Sequence, residues 1–207
     1  MLGANSLAVG SDNEQKAQSS LLVGSNLYNT QNHSLVIGQY NKNMSNLALS
    51  VGNGSIISES NALEVFTDGS LHAGVDNTST EESIHILGDF NNVSGSQAKT
   101  IGSDNYINNA DHAIAIGKNL SVDSKETVAI GKYNEPIVAS SEEEEAILVV
   151  GTGTGVANDS DMRNSLLIRK NGDIEMGEGV LKIQEGKVLL EAPQGGISMG
   201  IFTPTQD

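Results

Sequence analysis

Aliphatic residues recur along this chain in short runs that each end in a glycine. The runs Ser6-Leu7-Ala8-Val9-Gly10, Ser20-Leu21-Leu22-Val23-Gly24, Ser34-Leu35-Val36-Ile37-Gly38 and Ala48-Leu49-Ser50-Val51-Gly52 place their glycines 14 residues apart. A second series ends at Gly88, Gly102, Gly117, Gly131 and Gly151, at spacings of 14, 15, 14 and 20 residues. The residues one and three before each glycine are mostly Leu, Ile or Val, and in an extended strand they share a face. The residue between them varies among Ala, Leu, Val, Ser, Ile and Thr. The shared place before glycine predicts that Val9, Val23, Ile37, Val51, Ile101, Ile116, Ile130 and Val150 form continuous buried ladders, the structural core of the chain.

The polar stretch after each glycine predicts a turn. Glycine permits a positive φ there. The asparagine two or three residues on (Asn13, Asn26, Asn41, Asn91, Asn105, Asn119 and Asn134) tolerates left-handed geometry and can bond its own backbone. A 14-residue unit is too short for a strand–helix crossover and fits strand, turn, short strand, turn, which is one coil of a β-solenoid. No 3.6-residue pattern runs through the repeats, so no substantial helix is expected.

A longer repeat overlies the short one. Asn61 to Gly74 and Asn164 to Gly177 share the pattern N-[AS]-L-x-[VI]-x-x-[DN]-G-x-[LI]-x-x-G. Asp68-Gly69 and Asn171-Gly172 between alternating apolar residues predict hairpins. Val180 to Glu191 reads as a further hairpin turning at Glu185-Gly186, and Gly195 to Asp207 as an extended tail. The expected organisation is a first coil array over residues 1–60, a hairpin connector over 61–82, a second array over 83–157, and C-terminal hairpins and tail over 158–207.

Composition sharpens this picture. Of 207 residues 37% are hydrophobic but only 3% aromatic, with no Trp, so the core must be assembled from small aliphatics repeated many times. Glycine is frequent (23) and proline scarce (3), which fits tight turns rather than disorder. The formal charge of −15 repels phosphate backbones and anionic membranes, so neither nucleic acid nor membrane insertion is expected. With no cysteine there are no disulfides, thiolate metal sites or cysteine nucleophiles. No apolar run reaches a membrane span, and the opening MLGANSLAVG lacks the basic start of a signal peptide.

Candidate chemistry is sparse. His33, His72, His85 and His112 lack metal-ligand spacing. His85 takes a ladder position three before glycine, where three copies could form a ring of imidazoles, but a strand-end histidine with ordinary hydrogen bonds is the favoured reading. Lys99 matches it one unit on, which marks this zone as less buried. Glu142 to Glu145 reads as a solvated loop between coils rather than a calcium site. Gly151-Thr152-Gly153-Thr154-Gly155 lacks the lysine of a phosphate loop and reads as a link. Asp12, Asp89 and Asp104 sit in turns without the partner acid that glycan hydrolysis needs. No catalytic, cofactor-binding or metal residues are therefore assigned, and the chain is not expected to be an enzyme.

The S-[LV]-[AV]-[VI]-G strands, most closely Ser6 to Gly10, Ser34 to Gly38 and Thr127 to Gly131, resemble the YadA-like heads of trimeric autotransporter adhesins. The likeness covers roughly residues 4–57 and 83–151. The hairpin pattern at Asn61 to Gly74 looks more like elements of phage tail fibres and other virion fibres, which also carry YadA-like repeats. The resemblance implies an all-β, left-handed parallel β-roll of 14-residue coils with interspersed hairpins, assembled as a homotrimer. It implies a structural and attachment role in a virion, beside other virion proteins and against a bacterial surface glycan or protein receptor. The alternative is a head fragment of a bacterial surface adhesin that binds host ligands. The heptad stalk and C-terminal barrel of an intact autotransporter are not in this sequence. Trimer packing also offers a place for the residues between the ladders, such as Leu22, Val36, Ile86 and Val149, which would point to the other face.

Overall fold

A computed structural model describes residues 3–137, 139–155, 162–177, 180–184 and 187–191. The chain is all-β, a solenoid of about nine turns. Among the described residues the one helical element is a 3₁₀ turn at Glu142–Glu144.

Each coil carries one long strand and, in most coils, one short strand. The long strands stack in parallel and in register: Leu7–Ser11, Leu21–Ser25, Leu35–Gln39 and Leu47–Asn53 in the first array. The second array stacks His85–Leu87, Lys99–Ser103, Ile114–Lys118, Val128–Lys132 and Ala146–Thr152 in the same way. Short strands pair beneath them, Glu14–Gln15 with Tyr28–Asn29, and Thr78–Ser79, Asn92–Ser94, Tyr106–Asn108 and Ser121–Val122 in a second sheet. The short-strand sheet of the second array thus begins at Thr78, inside the stretch read from sequence as a connector.

The hairpins are not appendages. Asn61–Phe66 pairs antiparallel with Leu47–Asn53 and with Leu71–Ala73, which in turn pairs in parallel with His85–Leu87. Asn164–Arg169 and Ile174–Met176 close the second array in the same sense. All of these strands form one sheet of 13. The turns sit at Asp68-Gly69 and Asn171-Gly172 as the sequence predicts, with φ of 89° and 88° at the glycines. Val180–Gln184 and Lys187–Glu191 form an antiparallel pair, while Glu185-Gly186 and the tail lie outside the described residues.

Except for Gly88, which directly follows His85–Leu87, the glycine of each run is not at the turn but inside the long strand, fourth of its five residues in Leu21–Ser25 and its five-residue equivalents. Its necessity comes from coil-on-coil approach. A Cβ added at Gly24 would lie 1.8 Å from the carbonyl oxygen of Gly38, and one at Gly117 would lie 1.7 Å from that of Gly131. Gly52 and Gly151, the last glycines of the arrays, lack positive φ; there a Cβ would instead meet the backbone and side chain of Asn41 or Asn134.

The turns that follow use left-handed residues other than glycine. Asp12, Asn26, Tyr40, Phe90, Asp104, Asn119 and Tyr133 take φ between 44° and 57° at the first corner. Ser19, His33, Ser83, Gln97, His112 and Glu126 do so at the second. Such geometry is strained for Tyr and Phe. It is held because the corner N–H donates to the coil before it, Tyr40 to Ser25, Phe90 to Val75 and Tyr133 to Lys118. The 15-residue coil between Gly102 and Gly117 absorbs its extra residue with an additional left-handed position at Asn109.

Of the asparagines expected to be left-handed, Asn26 and Asn119 are. The others act through their side chains. Asn13 donates from Nδ2 to the Gly24 carbonyl (2.9 Å) and accepts from the Leu27 N–H (3.0 Å). Buried Asn91 and Asn105 donate to the Gly102 and Gly117 carbonyls at 2.9 and 3.0 Å. Asn91 Oδ1 also accepts from the Asn105 N–H and side-chain amide. Asn41 and Asn134 each accept from the backbone N–H and donate to the backbone carbonyl of Tyr28 and Ser121, respectively. This column satisfies backbone groups at the corner, where strand pairing stops.

The glycine column yields a direct test. Gly102→Ala is expected to lower stability by roughly 3 kcal/mol or more, combining positive-φ strain with a backbone clash. Gly69→Ala meets nothing within 4 Å and should cost only about 1–2 kcal/mol. Thermal melts of the two variants, compared with wild type, measure the difference.

Candidate functional site

Strand alternation in the 13-stranded sheet sorts side chains into three columns. The middle residue of each run points into the coil. Leu22, Val36, Ile86, Ala115, Ala129 and Val149 are all buried. They face Val93, Ile107 and Val122 from the short strands in the second array, which holds the larger apolar cluster. The coil is narrow, which explains why the inward column includes Ala, Ser50 and Thr100 as well as Leu and Ile.

The predicted core ladder therefore lies on the opposite side. Val9 is 48% exposed, Ile101 47% and Ile116 38%, whereas Ala115 is fully buried. Val23, Ile37 and Ile130 are also exposed, and Val51 and Val150 half-buried. The ladder is continuous as expected, but it is a surface and not the interior of the coil. Parity alone could not choose between the faces, because both are apolar.

The surface is more complete than the ladder residues alone. Through the hairpins, one column runs Val9, Val23, Ile37, Val51, Leu63, Ala73, Leu87, Ile101, Ile116, Ile130, Val150, Leu166 and Met176. The neighbouring column, two residues away along each strand, holds Leu7, Leu21, Leu35, Leu49, Val65, Leu71, His85, Lys99, Ile114, Val128, Leu148, Ile168 and Ile174. Every position in both columns is apolar except His85 and Lys99. Thirteen strands at about 4.8 Å give a stripe roughly 60 Å long, and two residue rows make it about 10 Å wide. That is on the order of 600 Å² of aliphatic surface, at the upper end of what monomeric proteins expose.

The hairpins also carry a buried polar set that sequence reasoning missed. On the inward column, Glu64 takes the position that Leu167 holds in the second hairpin, and His72 the position of Glu175. Glu64 Oε1 accepts from Asn61 Nδ2 (2.9 Å), Glu64 Oε2 meets His72 Nδ1 (3.2 Å), and His72 Nε2 meets Ser79 Oγ (3.0 Å). The Phe66 ring lies against the imidazole, with centroids 4.8 Å apart. A hydroxyl, imidazole and carboxylate in this order resemble a nucleophile relay. The imidazole, however, is 2% exposed inside the coil, and the cavity beside Glu64 holds about 20 Å³, room for a water and not a substrate. What the arrangement does is satisfy two buried titratable groups where the first array hands over to the second. The signal for it was the substitution of Glu and His at two places where the second copy of the hairpin has Leu and Glu.

The remaining candidates have structural places. His33 and His112 are left-handed corner residues, and His85 lies exposed on the stripe. Asp12 and Asp104 are corner residues too, and Asp89 accepts from the Val75 N–H (2.7 Å). The acidic run is docked rather than free. Lys170 pairs with Glu145 (2.7 Å), and the Arg169 guanidinium donates to the Glu144 carbonyl (2.6 Å). The Lys170 ammonium is held above the usual lysine range, chiefly by its hydrogen bond to Glu145. Gly151 and Thr152 belong to a long strand, and Gly155, at φ 80°, packs so tightly on the Tyr133 ring that a Cβ would lie 2.1 Å from it. Among the described residues no group of three His, Cys, Asp or Glu could hold a metal ion, and no helix is long and apolar enough to cross a membrane. Comparison with family models, curated proteins and solved structures finds no match.

The buried pair predicts an asymmetry. Glu64→Ala leaves the buried His72 Nδ1 without a partner and should cost about 2–3 kcal/mol. The double replacement Glu64→Leu with His72→Leu removes both polar groups and should cost less than the single change. Thermal unfolding of the two variants checks this.

Proposed function

We propose that this chain is a structural and attachment module that assembles as a homotrimer, with the aliphatic stripe covered by neighbouring copies, as in the tail or head fibre of a phage. The observation that carries the reading is the stripe itself, two columns of thirteen positions that run on through both hairpins and are apolar at all but His85 and Lys99. An interior needs apolar residues because they leave water, and the same holds for a surface that meets another chain. An area near 600 Å² per chain is of the order of one partner's share in a stable interface, about 800 Å². A closed cyclic assembly lets every copy use the same surface. The likeness of the coils to trimeric adhesin heads makes three the expected number, and the hairpins built into the stripe favour a virion fibre over a bacterial adhesin. In this reading the exposed corners, which carry varied polar residues on a rigid stack, contact a bacterial surface glycan or protein. The chemistry is recognition and support, not catalysis.

Sedimentation equilibrium of the full chain is expected to give three times 21.6 kDa. Ile116→Asp places a carboxylate in the covered seam and should weaken assembly by several kcal/mol, on the order of 3 or more. A folded, stable monomer of 21.6 kDa would overturn the proposal.

A further inference from the structure

The stripe is interrupted at one place. His85 and Lys99 are register partners on adjacent coils, with Leu71 before them and Ile114 after. His112, from the neighbouring corner, joins them around a cavity of about 400 Å³ that Ser83 and Gln97 complete. The equivalent groove in the first array is lined by Leu7, Leu21 and Leu35, with His33 at the corner that His112 takes here, and carries no lysine. Three potential cations are thus gathered in a chain whose formal charge is −15. Among the described residues their side chains have no ion pair or hydrogen bond. The nearby Asp111 carboxylate pairs with Lys125 (2.9 Å) and accepts from the Ser96 N–H (3.0 Å); these hydrogen bonds, with the charges of Lys125 and of His112 beside it, keep it below the usual carboxylate range.

We infer that this groove is an anion site, which takes an inorganic oxyanion such as sulfate or phosphate between copies of the assembled protein. The inference rests on the trimer proposed above. Neither column of the stripe contains a carboxylate, so stripes converging on a symmetry axis bring three Lys99 and three His85 side chains together, with a His112 corner beside each groove. An apolar seam cannot bury that charge unpaired. A tetrahedral oxyanion offers several acceptors to the Lys ammonium and to imidazole N–H groups at once. The cavity is large enough to hold one with part of its water.

The test uses the full-length protein in buffer free of multivalent anions, titrated with sodium sulfate against sodium chloride at matched ionic strength. Sulfate is expected to bind saturably, at about one ion per three chains, the stoichiometry of a single site on the threefold axis where the three grooves meet, and to raise the melting temperature of the trimer. Lys99→Ile restores an uninterrupted stripe and should keep the trimer while lowering sulfate affinity roughly tenfold or more. His85→Leu is the second variant and should act in the same direction. Sulfate also stabilises proteins generally by exclusion from their surface, so the difference between wild type and variant is the readout. A trimer in which wild type, Lys99→Ile and His85→Leu respond alike would overturn the anion site and leave the assembly standing. A trimer that falls apart in Lys99→Ile at every sulfate concentration would also overturn it, and would point to a carboxylate of the neighbouring copy as the partner. A monomer would overturn both proposals.

Discussion

Each coil lies against the next at the spacing of paired strands, about 4.8 Å, and along the glycine column that approach leaves no room for a Cβ atom. From this contact the rest follows. Exact stacking puts equivalent residues of successive runs into register, so a side-chain type chosen at one position becomes a column. It also aligns the carbonyls at the corners, where asparagine amides of the preceding coil reach them. It holds bulky residues such as Tyr40, Phe90 and Tyr133 in left-handed corners that they would not adopt alone.

The same stacking divides the long strand between two environments. The inward residue meets the short strand across a narrow coil and is Ala, Ser or Thr in five of the nine runs. The outward residues have no such limit and are almost uniformly Leu, Ile and Val. A chain with so little aromatic surface stabilises each coil only weakly by itself, and repeat architectures gain from neighbours what the single unit lacks. The antiparallel hairpins reverse the chain without breaking either outward column, which is the geometric reason that one stripe can extend over both arrays.

The solenoid, its coil length and both hairpins were legible in the sequence, because glycine spacing and Asp-Gly or Asn-Gly turns are local signals with local causes. The facing of the strands was not. Alternation shows which residues share a face, but Leu22 and Val23 are equally apolar, and regularity is not burial. Width of the interior decides the matter, and that is a property of two strands distant in sequence. Asn13, Asn91 and Asn105 have the spacing of turn residues, but their side-chain amides matter more than their backbone angles. The Glu64–His72 pair was hidden because its partners come from different strands. The gathering of His85, Lys99 and His112 became visible only when the coils brought their residues to one groove.

The account turns on whether the outward columns meet water or protein. The chain has no cysteine, so Ile116→Cys introduces a single thiol on the stripe, and its rate of reaction with a water-soluble maleimide reads its exposure directly. In the native protein the account predicts a rate at least about a hundredfold below that of the unfolded chain, because the thiol is covered by another copy. A native rate close to the unfolded one, in protein that keeps its β-sheet spectrum, would contradict it.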